Sequence, residues 1–255
     1  MEFKIKELKR PKLKSPILVE GLPGIGNVGK IAVDFMIDSI GAEKIIEISS
    51  SNFPHSVFVN ENNLVDLPKI ELYYKKNKKN DLILLAGDIQ PLDEKSCYMF
   101  CETVLDIFQR YKGKEIITLG GIGLPKVPEK PKVYCTANDK SIIKKYKTKG
   151  LDNNIFGVVG PIIGVSGLLV GLASNRKIPG IVLLAQTFGH PTYIGVRGAK
   201  EILNILNKHL DLNLDTKRLD KEIESLEKEI EISSKTLSSL TKAMSASQDK
   251  VSYIG

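Results

Sequence analysis

The chain has 255 residues, 42% hydrophobic and 26% charged, which suits one large or two small globular domains with an ample core. Its formal net charge of +7 is carried almost wholly by lysine, with no Trp and 6% aromatic residues. That argues against a nucleic-acid partner, because lysine reads bases and phosphate forks poorly and few rings are present for stacking.

Phe3 to Leu8 alternates apolar and charged positions and predicts an edge strand guarded by lysine. The first fifteen residues hold no apolar core segment of a secretory signal. Ile17 to Glu20 is a second strand and runs into the glycine-rich segment Gly21 to Lys30. A helix follows, with Val28, Ile31, Ala32, Phe35, Met36 and Ile40 on its buried face. Glu43 to Ser49 is a strand, Asn52 to His55 a turn, and Val57 to Val59 short strand material. Ile70 to Tyr74 pairs with Asp81 to Ala86, whose apolar run fits a strand buried on both faces. Glu94 to Tyr111 is an amphipathic helix with Cys97, Cys101, Val104, Leu105 and Phe108 inward. Glu115 to Leu119 is a core strand ending at Gly120 to Gly123, Val133 to Cys135 another strand, and Lys140 to Tyr146 a short helix.

Leu151 to Ser174 organises the chain. From Asn153 through Asn175 it carries no charge. A membrane span is one reading, but Pro161 and the clustered glycines break it up, and Asn153, Asn154 and Ser166 lower its hydrophobicity. A catalytic elbow is another, but G-x-S-x-G fails at Leu168. The preferred reading is a central buried helix with glycines where other backbone packs close. Gly180 to Gln186 is one more core strand, Thr187 to Arg197 a loop, and Gly198 to Leu210 a helix. Strands alternating with helices define an α/β domain with a parallel or mixed sheet over residues 1–212, its glycine loops at the carboxyl ends of strands.

Composition shifts near Asn213. Leu219, Ile223, Leu226, Ile230, Leu237, Leu240 and Met244 step by four and three, with Ser233 as the one polar interruption, and form a heptad seam over a 213–245 helical extension. A coiled coil between subunits and an amphipathic helix folded back on its own domain both fit. Residues 246–255 read as a mobile tail.

Gly24-x-Gly26-x-x-Gly29 follows a strand and opens a helix, with Glu47 about twenty residues on, the context of a dinucleotide fingerprint. Gly24, Gly29 and Lys30 also match a P-loop, except that Ile31 stands where a magnesium ligand belongs. A structural strand-to-helix turn explains the same residues, and the sequence pattern leaves the choice open. Cys97, Cys101 and Cys135 are too scattered for a disulfide framework and predict an intracellular protein. Cys97 and Cys101 share a helix face without further metal ligands and read as buried apolar residues. His55, His190 and His209 find no nucleophile or paired carboxylate, and nothing specific supports Asp88 with Glu94 as an acid pair.

Several segments together resemble the archaeal proteasome assembly chaperone family, related to the second eukaryotic assembly chaperone. They are GLPGIGNVGKIAVDFMI (21–37), SSNFPHSVFV (50–59), GDIQP (87–91), ITLGGIG (117–123), PKVYCTAN (131–138), GPIIGVSGLLVGLAS (160–174) and LLAQTFGHPTYIGVRGAKEIL (183–203). The resemblance implies a cytoplasmic, ATP-independent, non-enzymatic protein without cofactor, whose domain is an α/β sandwich similar to nucleoside phosphorylases. It implies a homo-oligomer, tetrameric or pentameric, that acts on the proteasome core particle or its α-subunits. Some members dock there through a C-terminal hydrophobic-Tyr-any motif. Here the tyrosine is third from the end, in Tyr253-Ile254-Gly255, one register off. Val251, Tyr253, Ile254 and the Gly255 carboxylate are the expected partner-binding residues, and the heptad positions from Leu219 to Leu240 the expected oligomerisation residues. Val196-Arg197-Gly198 also departs from the family, where an acidic residue and a proline are expected. On this view Gly24 to Lys30 is a structural loop.

Overall fold

A computed structural model describes residues 3–221, 223 and 224. The chain divides into two units, Met1–Asp215 and Thr216–Gly255, and the fold below is that of the first.

Its frame is a nine-stranded mixed sheet. The strands are β1 (Lys4–Glu7), β2 (Ile17–Glu20), β3 (Glu43–Ser49), β6 (Ile70–Lys75), β7 (Leu82–Gly87), β8 (Glu115–Leu124), β9 (Val133–Ala137), β10 (Leu151–Asp152) and β11 (Gly180–Phe188), in the order β1-β3-β6-β7-β2-β8-β11-β9-β10. The two remaining strands, β4 (Phe58–Val59) and β5 (Val65–Asp66), form a separate hairpin. The central strands β7, β2, β8 and β11 are mutually parallel. Towards one side β6, β3 and β1 each run antiparallel to the strand before, and on the other β9 opposes β11. Central parallel strands are buried on both faces, so Ile17–Glu20 and Leu82–Gly87 are buried at every position.

Helices cover both faces. α2 (Glu94–Arg110) and α4 (Val165–Asn175) pack together on one. Their core takes Phe100, Val104, Phe108, Leu169 and Ala173 against Leu18, Ile116, Val182 and Leu184. Side chains alternate along a strand, so Ile17, Val19, Ile117 and Leu183 serve the opposite face, where α1 (Val28–Ile40) packs on α5 (Val196–Leu210). α3 (Lys140–Tyr146) lies beside α5, with the Tyr146 ring 4.8 Å from the His209 ring. Each fully buried Leu, Ile or Phe contributes about 1.5–3 kcal/mol.

Four sequence expectations need correction. The uncharged 151–174 stretch is not one helix. Gly157 and Gly164 have positive φ, Pro161 lies between them, and helix starts only at Val165. β8 does not stop at its glycines, because Gly120 and Gly121 keep pairing with Leu184 and Ala185 of β11. α1 is rotated from its expected face: Val33 is fully buried while Ile31 and Phe35 are half-buried, since α1 meets α5 as well as the sheet. Glu47 lies on β3, which β6 and β7 separate from β2, and its carboxylate pairs with Lys6 at 3.0 Å. Twenty residues of spacing therefore do not bring it to the glycine loop.

Candidate functional site

The carboxyl ends of β2, β8 and β11 open into a crevice of about 440 Å3. Its walls are the Gly24 loop, the glycine segment of β8, and the 158–163 segment that leads into α4. Open α/β sheets place ligand crevices at this edge.

Gly24 and Gly29 line the crevice; Lys30 does not. The Lys30 ammonium lies 2.9 Å from Asp34 one turn along α1. No lysine, arginine, histidine or carboxylate lines the walls, so a phosphate group would meet no countercharge there. Gly29 and its neighbour Gly21 instead serve close packing, while a Cβ on Gly24 would meet nothing within 4 Å. A Cβ on Gly29 would stand 2.5 Å from the Leu119 carbonyl oxygen, and one on Gly21 would stand 2.1 Å from that of Gly29. Gly26 takes φ +62° at the turn. Backbone lies on backbone, which is the structural reading of the fingerprint.

Behind the crevice wall sits a group that sequence reasoning passed over. Glu20 is fully buried, and no cation contacts its carboxylate. Oε1 accepts the Leu22 N–H at 3.0 Å, and Oε2 lies 3.0 Å from the Ser166 hydroxyl, itself 3.2 Å from the Leu119 carbonyl oxygen. Burial pushes the Glu20 carboxyl up to about 7, against the opposing pull of its hydrogen bonds from Leu22 and Ser166. In the protonated form every partner is satisfied: Glu20 donates to Ser166, and Ser166 donates to Leu119. Ionisation turns the serine hydroxyl back towards the carboxylate and leaves the Leu119 oxygen without it. The available signal was a glutamate closing an otherwise apolar strand.

Ser166 is positioned by the first turn of α4, where its carbonyl accepts from Thr118 Oγ1 at 2.8 Å. Gln90 clamps the same corner: Nε2 donates to the Pro23 carbonyl at 2.8 Å, and Oε1 accepts from the Val165 N–H at 3.2 Å. The crevice thus offers apolar walls, glycine backbone and one hydroxyl.

Cys97, Cys101 and Cys135 are buried free thiols, as read from the sequence. Among the described residues no group of three or more His, Cys, Asp or Glu stands close enough to hold a metal ion. Nor is any helix among them long and apolar enough to cross a membrane. Arg197 donates to the Glu129 carbonyl at 2.9 Å. Leu219 and Ile223 fall on helical backbone. Leu226, Ile230, Leu237 and Leu240, and the tail residues Val251, Tyr253, Ile254 and Gly255, lie outside the described residues.

Sheet order and helical layers define a three-layer α/β protein with a crevice at the carboxyl ends of its central strands. The chain belongs to the PAC2 family, whose profile matches residues 18–232. It is similar to PbaB of Pyrococcus furiosus, an archaeal proteasome activator, with 32% identity, TM-score 0.81, and coverage of 90% of this chain and 99% of that one. It is also similar to PbaA of the same organism, an archaeal homologue of proteasome-assembly chaperone, with 26% identity, TM-score 0.72, and coverage of 89% and 94%. An uncharacterized protein of Methanocaldococcus jannaschii is 31% identical over 99% of this chain and 96% of its own length.

Proposed function

We propose that this protein is an ATP-independent proteasome assembly chaperone or activator-like protein, cytoplasmic and without catalytic activity. It works as a homo-oligomer on the proteasome core particle or its α-subunits. The observation that carries this reading is the likeness to the activator PbaB at 32% identity across nine-tenths of the chain. The crevice supports it from the chemical side, since Gly29 and Gly121 press on backbone there and none of the described residues on its walls is charged.

In this reading the 1–212 domain is the body, the 213–245 extension joins subunits through its heptad seam, and Val251, Tyr253, Ile254 and the Gly255 carboxylate contact the core particle. Oligomerisation raises the effective concentration of each tail at its neighbouring site. The test is native mass spectrometry of the full chain and a 1–250 form with core particle from the same source. The full chain should bind and the shortened oligomer should not. Equal binding by both would remove the tail from the mechanism, and binding by neither would remove the proteasome.

A further inference from the structure

The β4–β5 hairpin is an apolar arm whose large side chains stand exposed among the described residues. Val59, Leu64, Val65 and Leu67 are 62–71% exposed, and Val57 and Phe58 are exposed beside them. A lone two-stranded hairpin is marginal in water. An arm of this composition needs a cover whenever the protein is folded, and a second copy of the chain is the partner always present in equal amount.

The same chain carries a surface of matching kind. Between the start of α2 and α4 runs a groove of about 420 Å3, walled by Leu92 (79% exposed), Tyr98, Ile163 (88% exposed) and Leu168. Its α4 side belongs to the stretch without charge, and charge depletion marks the core of protein interfaces. Farther along the two helices Arg176 pairs with Glu102 and Asp106 of α2.

Gly171 supplies an independent sign. It lines the groove from the middle of α4 and is exposed, and a Cβ there would meet nothing within 4 Å. Glycine inside a helix is less stable than almost any other residue. Nothing among the described residues requires it, whereas another backbone lying on the groove floor would.

We infer that the β4–β5 arm of one copy packs into the α2–α4 groove of a second copy. This deepens the oligomeric part of the proposed function and needs nothing from its proteasome part. A contact between two different patches is heterologous and closes into a ring when its rotation permits.

The test uses the full chain in three forms: wild type, G171Q, and V59K/V65K. Glutamine is a better helix former than glycine, and both arm positions are exposed, so far-UV circular dichroism should be unchanged in all three. Sedimentation velocity across a wide concentration range should give an associated wild type and a dissociation constant raised roughly 30-fold or more in each variant. Mixing the variants should restore association, because one keeps its arm and the other its groove. Amide exchange of wild-type residues 57–67 and 162–171 should slow as concentration rises. A monomeric wild type, a G171Q oligomer of wild-type strength, or a mixture that stays apart overturns the inference. So does a G171Q form that keeps its oligomer and loses only core-particle capture, which would give the groove to that partner.

Discussion

The two ends of the central strands are built differently. Three of the four connections entering the central strands at their amino-terminal end are lysine-rich: Lys9, Lys12 and Lys14 with Arg10 before β2, four lysines from Lys75 to Lys79 before β7, and Lys112 and Lys114 before β8. The carboxyl-terminal end carries glycine and exposed apolar side chains. Of the exposed large apolar residues described, all but Ile5, Leu8 and Tyr98 lie in connections at that end, among them Ile25, Leu92, Phe156 and Ile163. Lysine keeps most of the first end solvated, while the second, apart from Lys126, Glu129, Lys130 and Lys132 between β8 and β9, offers apolar contact area.

Two buried glutamates repeat the contrast inside the sheet. Glu115 opens β8 at the amino end and Glu20 closes the neighbouring β2 at the carboxyl end. Glu115 accepts from Lys145 and from the Tyr146 hydroxyl, each at 2.5 Å. Glu20 has only a serine hydroxyl and backbone. Burial without a cation beside it is what raises the Glu20 carboxyl.

The largest expected effect breaks the layer on which both ends rest. Phe100 is fully buried on α2, 5.6 Å from the Phe3 ring, and Phe100→Ala should cost about 3–5 kcal/mol in urea unfolding. Next is the unpaired acid. With its pKa near 7 against an ordinary 4.5, Glu20 holds more protons folded than unfolded, so its contribution to stability falls as pH rises through that window and is constant above it. Glu20→Gln mimics the protonated form. It should leave stability unchanged near pH 4 and raise it by up to about 3 kcal/mol at pH 8, read from thermal melts at both pH values. The smallest effect sharpens the paired acid. Tyr146→Phe removes one hydrogen bond to Glu115 and leaves Lys145 in place, for a loss of about 1.5–3 kcal/mol at pH 7 in urea melts.

Most elements were legible because their signals are local. The apolar run at Leu82 to Ala86 has no alternative to a doubly buried strand, and the amphipathic period of Glu94 to Arg110 fixes both α2 and its inward cysteines. The uncharged stretch was misread as one helix because hydropathy cannot tell a buried wall from an exposed one. Phe156 and Ile163 are wholly or nearly exposed, while Leu169 nearby is fully buried. The fingerprint pattern left its choice open for a related reason. Spacing counts residues along the chain, and Glu47 returns three strands away.

What the sequence determined by itself was the alternation of strand and helix, the buried thiols and the family resemblance, since each rests on residue type at short spacing. Only the tertiary structure decided which glycines press on backbone and which leave space open. It alone left Glu20 without a cation and gathered apolar loops from distant segments at one end of the sheet. Those outcomes depend on strand order and direction, which put residues far apart in the chain side by side.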